Sequence, residues 1–267
     1  MVLGNLLDAS AHHAPETPAL ICGDTAVTHR QLNHSSTALA LRMIQQGLRP
    51  GDRVAIHWAN SVEIATLYFA CFKAGLIAVP VNIRLKPVEV EYVLRHSEAS
   101  ICFSQPRLSP VAEEAIAIGR LAIPLRSELP CDDLSSGTLP EIAACDPAAI
   151  LYTSGTTAHP KGATHTHASL SHAARLMLRM VAGSGPVGMT TTQMTHMSGL
   201  AAFLLTSVLD CKTLVVLPAF DPALALDTIE RFRVTYTGAL PMMLALLVDE
   251  QIRRPRDVGS LRTSRKA

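Results

Sequence analysis

One run near the middle of the chain concentrates the groups that bind phosphate: hydroxyl side chains, glycines and a lysine. It reads Thr153-Ser-Gly-Thr-Thr-Ala-His-Pro-Lys-Gly162. Hydroxyls donate hydrogen bonds, glycine lets the backbone approach a ligand, and lysine adds a positive charge. Hydrogen bonds to a charged group contribute about 1.5–3 kcal/mol each, so several converging donors could hold a triphosphate. The candidate phosphate-binding residues are Thr153, Ser154, Gly155, Thr156, Thr157, Lys161 and Gly162.

Two other interpretations of this run are weaker. An isolated Ser-Gly-Thr-Thr is usually a polar surface turn, but the ordered pattern extends over eleven positions from Tyr152 to Gly162. The P-loop of kinases and GTPases has Gly before its Lys and Ser or Thr after it. Here Gly162 and Ala163 follow Lys161, which sets a Walker-type nucleotide hydrolase aside.

The residues just before the candidate phosphate-binding loop are predicted to form a strand. Ile150-Leu-Tyr152 is β-prone, and a loop that follows such a strand lies at the carboxyl edge of a sheet, where α/β proteins bind ligands. Strand and helix patterns alternate along the chain, which predicts an α/β fold with mainly parallel, helix-covered sheets. The other predicted strands are 53–58, 77–81, 101–103, 187–194, 213–217 and 234–236, and the later helices are 169–180, 198–209, 222–232 and 242–250.

The predicted domain boundary lies where the alternation of strand and helix patterns is interrupted. Residues 104–147 carry prolines and no clean period, so we expect one α/β lobe at 1–147 and a second, incomplete lobe at 148–267. Upstream of this segment, Thr28 and Gln31 have capping-box spacing, and Asn60 with Glu63 is expected to open another helix.

Composition favours a small-molecule enzyme. Apolar residues make up 48% and charged residues 17%, the net charge is +1, and no basic stripe indicates nucleic-acid binding. The cysteines lack metal-site spacing and are interpreted as reduced thiols. There is no signal-peptide pattern, and the apolar runs fall short of the ~20 residues a membrane span needs. We therefore expect a cytoplasmic protein without a membrane span.

The motifs together resemble those of the adenylate-forming (AMP-binding) superfamily, which includes acyl-CoA synthetases, firefly luciferase and peptide-synthetase adenylation domains. Tyr152–Gly162 is similar to its signature loop. Phe72–Arg84 is similar to its second core motif, and Glu91–Glu98 to the usual sequel in acyl-CoA ligases. Met194–Gly199 resembles the motif whose histidine lines the acyl or CoA channel, and Leu240–Leu247 the helix that comes later.

The resemblance implies the N-terminal domain of an acyl- or aryl-CoA ligase, with two helix-covered, mainly parallel sheets. It implies a two-step reaction in which a carboxylate attacks the α-phosphate of ATP and CoA then takes the acyl group. ATP, Mg²⁺ and coenzyme A are the implied cofactors, and the substrate is a small carboxylic acid, alkyl or aryl. His196 is the candidate catalytic-site residue, while the other histidines, including His165 and His167, are expected to pack or cap.

This sequence departs from the family at two places. Ala158 stands where the family usually has glycine, and a Cβ at a positive φ costs about 1–2 kcal/mol. Beyond Ser260–Thr263 the family continues with adenine-binding, magnesium-coordinating and ribose-binding motifs and a C-terminal lid domain with a catalytic lysine, whereas this sequence closes with Ser264–Ala267.

Two hypotheses follow for the 267-residue chain. The first is an N-terminal fragment of an ATP-dependent acyl-CoA ligase. The second is an inactive remnant, or a binding module that needs a second chain. Either way, we expect an exposed sheet edge and apolar faces that favour homo-oligomers or association with another chain. We also expect no pyrophosphate release from the isolated chain.

Overall fold

The computed structural model describes residues 1–129, 137–153 and 160–262. Within them the strands are β1 (Pro18–Cys22), β2 (Thr25–Thr28), β3 (Arg53–His57), β4 (Ile77–Pro80), β5 (Ala99–Ser104), β6 (Leu125–Arg126), β7 (Pro147–Thr153), β8 (Lys161–Thr166), β9 (Val187–Thr190), β10 (Thr213–Val216) and β11 (Tyr236–Gly238). The α-helices are α1 (Leu3–His13), α2 (His29–Gln45), α3 (Val62–Ala74), α4 (Pro87–His96), α5 (Ser109–Gly119), α6 (His167–Met180), α7 (Thr206–Leu209), α8 (Pro222–Phe232) and α9 (Pro241–Arg253).

The chain folds into two compact units, and each is assembled from separate stretches of sequence. The first unit comprises Met1–Asp8, Leu32–Ala59 and Glu63–Ser171. The second unit comprises Ala9–Gln31, Asn60–Val62 and the chain from His172 onward.

The first unit is built on a six-stranded sheet in the order β6-β5-β3-β4-β7-β8. Its strands pair in parallel, except that β8 runs antiparallel to β7 at the edge. Helix α4 buries Val90, Val93 and Leu94 in a core that also contains Ala55 and Val79 of the central strands. Burial of these apolar residues stabilises the unit.

The second unit is built on a five-stranded sheet in the order β11-β9-β10-β1-β2. The N-terminal strand β1 lies beside β10, with Leu20 opposite Leu214, and only the β1–β2 hairpin of this sheet is antiparallel. Helix α8 starts at an Asp221 cap, whose side chain accepts from the backbone N–H of Leu224 at 2.7 Å. Its buried face, with Ile229, packs against the sheet.

Helix α9 of the second unit presents apolar side chains to solvent. Of its residues, all of which are described, Leu247 alone is buried. Leu244, Val248 and Ile252 follow one another at helical spacing and are 48%, 57% and 76% exposed. We refer to Leu244, Val248 and Ile252 as the α9 stripe. Because α9 has only one buried side chain, most of its apolar surface remains in contact with water.

The α/β fold class with two helix-covered, mainly parallel sheets is confirmed. The capping box at the start of α2 is also present, since the Thr28 N–H donates to Gln31 Oε1 at 2.9 Å and the Gln31 N–H donates to Thr28 Oγ1 at 3.2 Å. The predicted helix at 222–232 matches α8. None of the described helices is long and apolar enough to cross a bilayer.

The structure divides the chain differently from the predicted boundary at residue 147. Strand β7 pairs with β4, through Ala78 and Ala149, so the residues after 147 complete the first unit's sheet. The pattern-poor stretch 104–147 also contains α5, which begins at Ser109. The prolines and the weak periodicity of this stretch carried no information about which sheet the next strand joins.

Two predicted element boundaries are also corrected. The strand expected at 187–194 ends at Thr190, and the strand expected at 234–236 is shifted to Tyr236–Gly238. The helix expected at 198–209 is present, but its first part, Ser198–Leu205, is π-helical and only Thr206–Leu209 is α-helical.

Candidate functional site

The candidate phosphate-binding loop joins the two strands of the β7–β8 hairpin in the first unit. Thr153 and Lys161 are direct cross-strand partners at the base of the loop, and both are exposed. Ser154, Gly155, Thr156 and Thr157, like Ala158, lie outside the described residues. The hairpin therefore places one hydroxyl and one ammonium group side by side where the chain leaves and re-enters the sheet.

Lys161 carries a cation that is available to a ligand. None of the described acidic side chains forms an ion pair with it, whereas Lys73 is paired with Asp8 and Lys212 with Asp210. An exposed ammonium beside hydroxyl and backbone donors suits an anionic group such as a phosphate.

Gly162 serves a packing role in the hairpin. A Cβ at this position would lie 2.8 Å from Cγ2 of Ile150 and 3.2 Å from Cζ of Tyr152. Gly162 is the cross-strand partner of Tyr152, and the missing side chain makes room for the tyrosine ring. Glycine is thus required here by the close approach of a neighbouring side chain rather than by a positive φ.

An aromatic cluster lies beside the base of the loop. Tyr92 and His96 on α4 stack with their ring centroids 5.2 Å apart, and both rings meet Tyr152 edge-on. The Tyr152 hydroxyl lies 2.7 Å from Nδ1 of His96, and the Tyr92 hydroxyl donates to the Pro160 carbonyl at 3.2 Å. Burial, with a further contribution from Tyr92, raises the pKa of Tyr152 to about 12.

His196, the predicted catalytic-site residue, lies in the second unit just before the π-helical segment. Its backbone N–H donates to the Gln193 carbonyl at 3.1 Å, and its own carbonyl accepts from the Leu200 N–H. The side chain is exposed, and its ring makes no hydrogen bond to the described residues. A Cβ on Gly199 would lie 2.2 Å from the Gln193 carbonyl oxygen, so this tight turn requires glycine.

Asn60 holds the segment before His196 in place. Its Nδ2 donates to the carbonyls of Thr192 at 2.9 Å and Leu217 at 3.1 Å, and its Oδ1 accepts from the Met194 N–H at 2.7 Å. The side chain is 4% exposed. The expected helix is present as α3, but it begins at Val62, and the amide of Asn60 is engaged with these distant backbone groups and does not cap the helix.

A cavity of about 420 Å³ lies in the second unit. Ala202 and Phe203 of the π-helical segment line it, together with Met177 of α6, Val181 and Tyr236 of β11. Ser184, Thr237 and Arg262 line it as well, so a largely apolar wall, which suits the hydrocarbon part of a small ligand, is combined with polar groups. His196 does not line the cavity itself but precedes the segment that does.

Two histidines are buried in the first unit and are kept neutral there. His57 Nδ1 lies 3.1 Å from Ser104 Oγ, and His167 Nδ1 accepts from the Leu3 N–H at 3.2 Å. Neither Nε2 has a hydrogen-bond partner among the described residues. Burial lowers the pKa of each ring to about 4. His167 also packs edge-on against Phe72, in line with the structural role expected of it.

The described residues offer no cluster of three or more His, Cys, Asp or Glu side chains arranged to hold a metal ion. The groups gathered around the loop are instead a cation, a hydroxyl and aromatic rings. Of the candidate phosphate-binding residues, the structure thus describes Thr153, Lys161 and Gly162 together at one hairpin. His196 belongs to the other unit.

Sequence reasoning did not predict the contacts that Tyr92, His96 and Asn60 make with these segments. The first two lie within the Glu91–Glu98 segment that resembles the family, and their i, i+4 spacing on a helix was a usable signal. Asn60 gave no such signal, because its partners are far away in the sequence.

The fold and these motifs define an AMP-binding enzyme domain. The sequence profile of the family described as AMP-binding enzyme matches residues 7–264. The chain is 32% identical to a feruloyl-CoA synthase of Amycolatopsis sp over 262 residues, which are 98% of this chain and 53% of that protein. It is 30% identical to the long-chain-fatty-acid–CoA ligase FadD13 of Mycobacterium tuberculosis, over 91% of this chain and 50% of that protein.

Solved structures agree with this family. The inhibitor-bound N-terminal domain of FACL13 from Mycobacterium tuberculosis is 28% identical and superposes with a TM-score of 0.84, over 97% of this chain and 68% of that chain. The chain therefore belongs to the AMP-binding enzyme family. It spans about half the length of the curated relatives that it matches.

Proposed function

We propose that this chain provides the phosphate-binding part of an ATP-dependent acyl- or aryl-CoA ligase. The observation that carries the proposal is the pairing of Thr153 with Lys161 at the base of the signature loop, with no described carboxylate paired to the lysine. Relatives named as feruloyl-CoA and long-chain-fatty-acid–CoA ligases support this reaction class. We further propose that Ser154, Gly155, Thr156, Thr157 and Gly162 belong to the same site.

In the proposed reaction, a carboxylate attacks the α-phosphate of ATP and pyrophosphate leaves. Lys161 and the hydroxyl of Thr153 stabilise the negative charge that grows on the departing β- and γ-phosphates. Mg²⁺, when bound, would neutralise part of the triphosphate charge, although the described residues include no dedicated metal cluster. The contribution of the chain itself is therefore electrostatic stabilisation and positioning, without a covalent intermediate on the protein.

The proposed acyl site is the cavity of about 420 Å³ in the second unit. Its lining from Met177, Val181 and Phe203 fits an alkyl or aryl group, and the cation of Arg262 also lines it. His196 stands at the start of the turn that leads into this lining, and we propose that it contacts the acid or CoA. CoA is the proposed acceptor of the acyl group in the second step.

The test of this proposal is MgATP binding to the 267-residue chain, measured by isothermal titration calorimetry. Lys161→Ala should weaken binding about tenfold to a hundredfold, because a charge-assisted hydrogen bond contributes about 1.5–3 kcal/mol. Lys86→Ala, which removes an exposed lysine of the same unit, is the matched control and should leave affinity unchanged. Equal affinity for the Lys161→Ala variant and the unaltered chain would refute the proposal.

A second candidate function is a binding module that works with another polypeptide. We propose that the α9 stripe packs against a polypeptide equivalent to the half of the relatives that this chain does not span. Two observations support this proposal. The apolar side chains of α9 are exposed, and the relatives described above contain a further half that could cover them. Strand β11 adds to it, since among the described strands it pairs with β9 alone and so offers an edge for pairing.

A chimera tests this second proposal. The chain is joined after Arg262 to the part of the Amycolatopsis feruloyl-CoA synthase that it does not span, and Val248→Asp with Ile252→Asp is introduced into both the chimera and the unfused chain. The pair should lower the melting temperature of the chimera, because burying each side chain contributes about 1.5–3 kcal/mol. It should leave the melting temperature of the unfused chain unchanged and raise its solubility.

The matched control places aspartate at Val88 and Ile118, which are exposed in the first unit. These changes should affect the chimera and the unfused chain alike. A chimera that tolerates aspartate on the α9 stripe would contradict the proposal. A discrete dimer of the unfused chain that the aspartates dissociate would assign the stripe to a second copy instead, and would also overturn it.

A further inference from the structure

Helix α4 contacts both ends of the candidate phosphate-binding loop. At the first end, Tyr152 meets His96 through a hydroxyl–imidazole contact of 2.7 Å. At the last end, the Pro160 carbonyl accepts a hydrogen bond of 3.2 Å from the Tyr92 hydroxyl. Tyr92 and His96 are four residues apart, so both side chains project from the same face of α4.

The contact at the first end joins two groups that can hydrogen-bond to each other. Burial raises the pKa of Tyr152, so its hydroxyl keeps its proton at neutral pH. The hydroxyl oxygen and Nδ1 of His96 lie 2.7 Å apart, and which of the two donates depends on the tautomer of the imidazole. An imidazole or a carboxamide at position 96 can therefore serve as the partner of Tyr152, whereas an aliphatic side chain cannot.

The helix that carries these two side chains is itself firmly held. Val90, Val93 and Leu94 are each no more than 1% exposed, and they anchor α4 in the core of the first unit. Tyr92 and Tyr152 pack against the same core from its edge. The two contacts thus connect the ends of the loop to a part of the unit that has little freedom to move.

Ordinary packing does not account for the contact at Pro160. The hairpin ladder starts with the Thr153–Lys161 pair, so Pro160 is the first residue beyond the paired strand. Proline also lacks an N–H, which leaves its carbonyl as its only backbone hydrogen-bonding group. The Tyr92 hydroxyl therefore holds the chain at the point where the ladder no longer does.

We propose that Tyr92 and His96 are positioning residues that fix the two ends of the phosphate-binding loop and so set the placement of Lys161. This deepens the proposed function, since it concerns how the same loop is presented to a triphosphate. A loop whose ends are held before binding loses less conformational freedom when the ligand arrives. Affinity should therefore depend on two side chains that are not themselves expected to touch phosphate.

The experiment combines hydrogen–deuterium exchange with MgATP binding on the 267-residue chain. Tyr92→Phe keeps the ring and removes only the hydroxyl that reaches Pro160. His96→Leu removes the hydrogen-bond partner of Tyr152, and His96→Gln restores a partner through its amide group. Tyr236→Phe, which removes a phenol hydroxyl in the second unit, serves as the control for amide exchange.

Tyr92→Phe and His96→Leu should each speed exchange of the peptide containing residues 153–162 about fivefold, without a change in melting temperature. That factor corresponds to the loss of one hydrogen bond of about 1 kcal/mol. MgATP affinity should fall by a similar factor in both variants. His96→Gln should recover most of both losses, and Tyr236→Phe should leave loop exchange unchanged.

Unchanged loop exchange in Tyr92→Phe and His96→Leu would overturn the proposal. Faster exchange across the whole first unit with a lower melting temperature would do the same, because it would indicate a general packing role. Exchange reports on the loop whether or not nucleotide binds. If the unaltered chain failed to bind MgATP, the proposed function would therefore fail, while the exchange data would still decide whether these residues hold the loop.

Discussion

Acidification should destabilise the first unit through two buried imidazoles, His57 and His167. The pKa of each is lowered to about 4 in the folded chain, against 6.5 for an exposed histidine. Between these two values the unfolded chain binds more protons than the folded chain. Stability is therefore fully present above pH 6.5 and is lost progressively as the pH falls towards 4.

The size of this loss follows from the same two values. At pH 5 an unfolded imidazole is almost fully protonated, whereas a folded one with a pKa of about 4 is mostly neutral. Linkage then predicts at most about 2 kcal/mol lost per imidazole relative to neutral pH, or about 4 kcal/mol for the pair. That is a large fraction of the roughly 5–15 kcal/mol by which a folded domain is typically stable.

Trp58 provides the assay, because it is the only tryptophan of the sequence and is buried next to His57 in the first unit. Urea unfolding followed by its fluorescence at pH 7.5 and 5.0 gives the free energy of unfolding at each pH. The double variant His57→Asn with His167→Asn cannot titrate there, and each Asn oxygen is placed to replace Nδ1. Its pH dependence should be smaller than that of the unaltered chain by about 4 kcal/mol.

An exposed histidine supplies the control. His12→Asn is the matched substitution at an exposed ring, and its free energy of unfolding at pH 7.5 should equal that of the unaltered chain. If the double variant lost as much stability between pH 7.5 and 5.0 as the unaltered chain, the argument from His57 and His167 would be refuted.

Three further predictions concern packing and hydrogen bonding. Gly199→Ala should lower the free energy of unfolding by about 1–3 kcal/mol in circular dichroism melts, because its Cβ would meet the Gln193 carbonyl, and a neutral effect would contradict that contact. Asn60→Ala should cost about 2–4 kcal/mol in the same assay by leaving buried backbone groups unpaired, and Asn60→Asp should cost at least as much, because its carboxylate would face the Thr192 and Leu217 carbonyls in a buried site. Gly162→Ala should weaken MgATP binding by displacing the Tyr152 ring, and unchanged affinity would show that the hairpin accommodates a Cβ there.

Local elements could be predicted from the sequence because their signals are local. The capping box at Thr28 and the helix from Pro222 to Phe232 depend on residues within a few positions of each other, and both were found where they were expected. The signature loop could likewise be recognised from its linear sequence pattern. Its hairpin geometry was not, since β8 follows directly after Lys161 and has little apolar character to mark it.

Long-range pairing could not be predicted in the same way. The division of the chain into two units depends on the pairing of β7 with β4 and of β1 with β10. Hydrophobic periodicity does not indicate which strands pair, so neither pairing could be predicted from it. The same holds for Asn60, whose three partners lie more than a hundred residues away. Its side chain is defined by a tertiary environment that exists only after the second unit has formed.

The pairing of Leu20 with Leu214 has a consequence for the order of folding during synthesis. The first unit is complete in sequence once Ser171 has emerged from the ribosome. The β1–β2 hairpin is made much earlier, yet it must wait for β10 before its sheet can form. Contacts between residues so far apart form slowly, and the unpaired strands are open to wrong partners in the interval. Nascent chains should therefore acquire protease resistance in two steps, first around β3–β8 and only later around the N-terminal hairpin.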